Sequence, residues 1–179
     1  IKTRNNMKKF FTFSGTISGK TFLLRTLFII VMCIPLIIAT IAKWTTYFMS
    51  LSEFDISDPS VENQTEIQKF GDELAIKIAE NPEFYLNDFM NSFSAVWILV
   101  FIVCIVPIIW FGLANYYKRI SALFYEQRNN IFFAVVAFDV ISDILILKYD
   151  TGSFILGTIS TLIFVYLIVS NSKIDTHEG

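Results

Sequence analysis

Histidine is nearly missing from this chain of 179 residues: His177 is the only one. A histidine-based zinc or haem site within one chain therefore lacks its ligands, and no cofactor or metal is expected. Cysteine is scarce as well, and Cys33 and Cys104 both lie inside apolar runs. They read as buried reduced thiols and leave the redox compartment unassigned. There is no Gly-rich phosphate loop, G-x-S-x-G, H-E-x-x-H or C-x-x-C. Without such a constellation, the expectation is a protein that is not an enzyme. A basic excess is also lacking. Lys and Arg number 14 against 16 Asp and Glu, with a pI of about 5.4. That balance excludes the usual nucleic-acid binder.

Charge of either sign is sparse, at 17% where soluble domains average about 25%. What the chain has instead is 54% hydrophobic residues, nineteen phenylalanines and a mean hydropathy of +0.58. A disordered chain needs the opposite composition. A soluble domain of this size could not cover its surface with so few charges. Lipid is the solvent that fits.

Four apolar segments stand out: Phe22–Ala42, Ala95–Ala114, Ile131–Leu147 and Phe154–Val169. Roughly 20 helical residues cross a hydrocarbon core of about 30 Å. The first two reach that length, and the last two need a flanking turn or local thinning. The expected fold is all-α: an integral membrane bundle of four transmembrane helices (22–43, 95–118, 131–148, 153–170) with an extramembrane helical insert between the first and second. Asp150, Thr151 and Gly152 make the connector Lys148–Ser153 a tight hairpin. The first run is too long for a signal-peptide h-region of about 7–15 residues. The chain opens at Ile1, so either processing removed a segment or the first residues are an artefact and Met7 is the start.

Lys2, Arg4, Lys8, Lys9 and Lys20 precede the first span, and Lys118, Arg119 and Arg128 lie at or beyond the end of the second. Between those spans, ten acids from Glu53 to Asp88 face only Lys69 and Lys77. The positive-inside rule puts the basic segments, 1–21 and 119–130, and the tail 171–179 inside, with the acidic 44–94 outside. Ile67, Phe70, Leu74 and Ile78 recur at helical spacing and form an apolar face opposite the charges. Asn81-Pro82-Glu83 reads as the start of another helix. Phe84, Phe89 and Phe93 carry it unbroken into the second span. The insert fits either a hairpin lying on the membrane or a docking surface for another protein.

The segment Phe11-Thr12-Phe13-Ser14-Gly15-Thr16-Ile17-Ser18-Gly19-Lys20-Thr21-Phe22 resembles the opening signature of the DUF805 family, approximately F-x-F-S-G-R-x-S-R-x-x-F. After the second span, Tyr117-Lys118-Arg119-Ile120-Ser121-Ala122-Leu123 stands where that family carries a basic motif, approximately R-R-L-H-D. Thr16 and Gly19 replace two basic residues, and Ser121 and Ala122 replace the histidine and aspartate. The resemblance implies a small bacterial inner-membrane protein with this helical plan. It implies no chemistry, because the family's function is unknown. Physically, Phe10, Phe11, Phe13 and Phe22 suit an interfacial anchor. Lys8, Lys9, Lys20, Lys118 and Arg119 are candidate headgroup contacts.

Asp139 and Asp143 are the sharpest functional signal. Four residues apart inside a span, they share one helix face, and a mid-bilayer aspartate costs about 2.5–3.5 kcal/mol. Ser142, Asn115, Lys43 and Arg25 are candidate polar companions. Three readings stay open: a protonatable pair on a proton or cation path, a structural polar contact, or a segment short of a full span. Pro35 and Pro107 suggest kinks. Trp44, Tyr47, Trp97, Tyr116, Tyr117 and Tyr149 fit interfacial belts. Gly152, Gly157, Ser160 and Thr161 favour close helix approach.

The expectation for function is an accessory, assembly or scaffold subunit packed against membrane lipids and other integral membrane proteins. The alternative is a small proton, cation or solute transporter component using Asp139 and Asp143. A bacterial inner membrane is the favoured location, with a mitochondrial inner membrane as the alternative.

Overall fold

The computed structural model describes residues 9–52, 61–148 and 150–172. Among them the fold is all-helical, with no strand. The helices are α1 (Gly19–Met32), α2 (Ile34–Leu51), α3 (Val61–Glu80), α4 (Pro82–Asn91), α5 (Ala95–Leu123), α6 (Arg128–Lys148) and α7 (Asp150–Val169). Three stretches are long and apolar enough to cross a membrane: Gly19–Leu51, Ala95–Leu123 and Arg128–Ile146. α7 supplies a shorter apolar stretch, Phe154–Val169.

Two prolines mark where the chain divides. One compact unit comprises Ile1–Met32 with Val106–Gly179, and the other Cys33–Ile105. The boundaries fall beside Pro35 and Pro107, each of which lacks the N–H that would bond four residues back. At Cys33 the path stays right-handed, with φ −75° and ψ −14°, and the Ile37 N–H donates to its carbonyl at 2.9 Å.

In the first unit, Ile17, Phe22, Ile120, Leu123, Phe132 and Leu167 form the core. The N-terminal segment reaches this core instead of lying on its surface. Phe13 meets Trp110, Tyr117 and Phe132 edge-on at 5.2, 5.7 and 6.2 Å between centroids. Phe22, expected as an interfacial ring, is fully buried against Tyr116 and Phe164. Two glycines allow the path. Gly15 has φ 84°, which glycine adopts without a steric penalty. At Gly19 a Cβ would overlap the Ile168 carbonyl, so α1 approaches α7 where a side chain has no room. The Ser18 hydroxyl accepts from the Thr21 N–H at 3.2 Å and caps the start of α1.

Three boundaries differ from expectation. α5 runs to Leu123 and α6 begins at Arg128, so most of the expected basic loop 119–130 is helical. α7 begins at Asp150, which places the expected hairpin formers inside a helix. Tyr149 lies outside the described residues. α4 does not run on into α5. It ends at Asn91, where the Ser92 N–H turns back to the Asp88 carbonyl at 3.0 Å. A new start follows, with the Trp97 N–H on the Ser94 hydroxyl at 3.5 Å. The two serines around Phe93 compete with the helix, Ser92 donating its hydroxyl to the Phe89 carbonyl at 2.6 Å and Ser94 accepting from Trp97.

In the second unit, Asn81 caps α4 as expected, accepting from the Phe84 N–H at 3.4 Å. α3 packs on α4, and Leu74 of its apolar face is buried. The Trp44 ring lies flat on Phe89, 3.9 Å between centroids and 8° between planes.

Candidate functional site

The helices bring Asp139 and Asp143 to one cleft. Both line a cavity of about 270 Å³ between α5 and α6, together with Ile109, Gly112, Tyr116 and Val136. Asp139 is half-buried and Asp143 exposed. The partner of Asp139 comes from α7: the Ser160 hydroxyl donates to Asp139 Oδ1 at 3.4 Å. Sequence reasoning assigned Ser160 to helix packing, because a serine in an apolar helix carries no sign of which neighbour it meets. The four companions proposed for the pair are placed elsewhere. Ser142 is 2% exposed, and its hydroxyl has no hydrogen-bond partner among the described residues. Arg25 donates to Asn115 Oδ1 at 3.4 Å, while Asn115 Nδ2 is buried and has no acceptor among the described residues.

Lys43 belongs to the other unit. Its ammonium donates to the Ser92 carbonyl at 2.9 Å and the Ser92 hydroxyl at 2.6 Å. The rings of Phe93, Phe89 and Trp97 stand 5.0, 5.6 and 6.0 Å from it. Beside it the Tyr47 hydroxyl donates to Asp88 Oδ2 at 2.8 Å. Trp44 and Tyr47, expected in an interfacial belt, pack on Phe89, one of the rings that face the buried cation.

The basic motif after the second span is not on the surface. Lys118 and Arg119 are both fully buried, which corrects their expected role as headgroup contacts. The Lys118 ammonium donates to the Lys9 carbonyl. Arg119 distributes its guanidinium over four acceptors: the carbonyls of Ile17, Leu167 and Ser170 and the Ser172 hydroxyl. α7 ends at Val169, so the Leu167 carbonyl, in its last turn, and the Ser170 carbonyl, just beyond it, are ones that no helical N–H reaches. Lys9 and Lys20 are exposed as a headgroup role requires, and Lys8 lies outside the described residues. Among the described residues, no group of three or more His, Cys, Asp and Glu could hold a metal ion. No family model, curated protein or solved structure matches the chain.

Proposed function

We propose that this chain is a non-catalytic accessory, assembly or scaffold subunit of a larger membrane protein complex. One observation carries the reading. In the second unit, α2 and α3 border an apolar cleft of about 440 Å³, lined by Phe48, Met49, Ile67, Phe70, Leu74 and Ile78. The same unit leaves Ile76, Phe84, Leu86 and Met90 between 56% and 60% exposed. Apolar surface of this extent on a segment rich in acids marks a place for a partner. In this reading residues 44–94 face outward and both termini face inward. α7 supports a fourth span, since 16 apolar residues reach about 24 Å and mismatch is inexpensive. The DUF805-like opening and the basic residues before α1 favour a bacterial inner membrane, and a mitochondrial inner membrane is the alternative.

Gly71 lines the cleft, and a Cβ there would meet nothing within 4 Å. Gly71→Trp therefore fills the cleft without disturbing the fold. Solubilised in mild detergent and run on a native gel, the chain should migrate in a reproducible complex whose other members mass spectrometry identifies. Gly71→Trp should lower the yield of that complex several-fold. A monomer without a reproducible partner sinks the reading.

The cleft at Asp139 and Asp143 favours the second reading, a proton or cation path. Proteoliposomes should then show a pH-dependent flux that Asp139→Asn abolishes. No flux, or flux indifferent to the substitution, removes it.

A further inference from the structure

The first unit holds a second cavity, of different chemistry. Thr21, Leu24, Arg25 and Phe28 recur at three- and four-residue spacing on α1 and so share a face. With Phe10 and Phe111 they line a cavity of about 460 Å³. Such a volume lies within the range of about 300–1,000 Å³ typical of ligand pockets. Arg25 is the one charged residue among the lining residues. Its guanidinium carbon stands 4.6 Å from the centre of the Phe10 ring, and Nη1 donates to Asn115. Those two contacts fix the guanidinium at the cavity wall.

Depth and charge select the occupant. Arg25 follows the first residue of α1, Gly19, by six positions, which is about 9 Å along the helix axis. Lys20, five residues before Arg25, is exposed, and so is Lys9. Cations thus stand at the helix start and one below it, and the apolar wall continues away from them through Leu24, Phe28 and Phe111. Leu24 and Phe28 are 57% and 52% exposed, so the cavity opens sideways toward whatever surrounds the helix. A soluble anion would gain nothing from that apolar wall. A neutral lipid would gain nothing from the guanidinium.

We propose that this cavity binds an anionic phospholipid, with the phosphate at Arg25 and an acyl chain along Leu24, Phe28 and Phe111. A guanidinium presents a planar fork that matches phosphate oxygens in pairs, and the apolar wall holds the chain. The site does not depend on the scaffold reading. It moves headgroup recognition from Lys118 and Arg119, which are buried, to a residue that the sequence placed only as a polar companion.

The test uses the full chain in mild detergent, titrated with phosphatidylglycerol, phosphatidylcholine or inorganic phosphate, with bound molecules counted by native mass spectrometry. One phosphatidylglycerol should bind at least about tenfold more tightly than phosphatidylcholine, the scale of one well-formed charged contact. Arg25→Gln should remove that preference. Leu24→Trp, at an exposed position, should weaken binding by narrowing the cavity, and it keeps the test decisive if Arg25→Gln fails to fold. Equal affinity for the two lipids overturns the proposal. So does unchanged binding by folded Arg25→Gln or by Leu24→Trp, or inorganic phosphate displacing the lipid completely, which would mark a free-anion site.

Discussion

Arg119 in the first unit and Lys43 in the second are both basic residues of apolar helices, with 0% and 4% exposure. Among the described residues neither meets a carboxylate. Each instead meets the C-terminal end of another helix. Arg119 takes the Leu167 and Ser170 carbonyls at the end of α7, and Lys43 takes the Ser92 carbonyl at the end of α4. A helix end carries roughly half a negative elementary charge together with its orphan carbonyls. That is a counter-charge a cation can use without burying a second ion, and it avoids the desolvation of an acid partner. The difference lies in reach. The arginine fork gathers two stretches of chain at once: Ile17, and the end of α7 with Ser172 just beyond it. Lysine concentrates on Ser92 and fills its remaining surroundings with aromatic faces.

That comparison orders the expected costs of substitution. Arg119→Met keeps the bulk and removes every donor, leaving buried carbonyls unpaired. Two or more such acceptors at about 1–3 kcal/mol each predict a loss of at least about 2 kcal/mol. Arg119→Lys should recover only part of it, because a point charge cannot serve four acceptors on two stretches of chain. Thermal unfolding in detergent, followed by near-UV circular dichroism, gives both values. A loss below about 0.5 kcal/mol for Arg119→Met, the range of surface substitutions, would show that Arg119 holds nothing together.

The same pair shows why parts of the fold were legible and parts were not. Apolar runs set the three long spans, because crossing a membrane requires length and hydropathy that few other structures need. The spacing of Phe70 and Leu74 set the face of α3, and Asn81-Pro82 set the start of α4. These are local signals. The burial of Lys118 and Arg119 was not legible, because the acceptors of Arg119 lie about 50 and 100 positions away. A basic cluster after a span reads as a headgroup contact until those carbonyls are in place. The contact of Gly19 with Ile168 likewise required the fold. At the acidic pair the shared face was readable from the four-residue spacing, and Ser160 on the neighbouring helix was not.

Lys43→Met should cost less, about 1–2 kcal/mol, although two charge-assisted bonds disappear. Ser92 is exposed, so its carbonyl and hydroxyl can be rehydrated, and the methionine stem still packs on Phe93. Trp44 and Trp97 lie close enough for tryptophan fluorescence to follow the transition locally. A loss as large as that of Arg119→Met would mean that reach is not what separates the two cations.

Trp110→Phe isolates the part played by charge. The indole N–H donates to the Phe11 carbonyl at 2.8 Å, just past the short N-terminal turn whose Lys9 carbonyl Lys118 serves. It is a neutral donor doing for one carbonyl what Arg119 and Lys43 do for others. Phenylalanine keeps the edge-on contact with Phe13, so the substitution removes little besides the hydrogen bond. The expected loss is about 0.5–1.5 kcal/mol, the net worth of an uncharged bond. Measured beside Lys43→Met, it divides the second cation's contribution into carbonyl pairing and charge. If Trp110→Phe costs as much as Lys43→Met, pairing of the helix-end carbonyl is the whole effect. If it costs clearly less, the remainder is the attraction between a buried cation and a helix C-terminus, and that attraction should be larger again at Arg119.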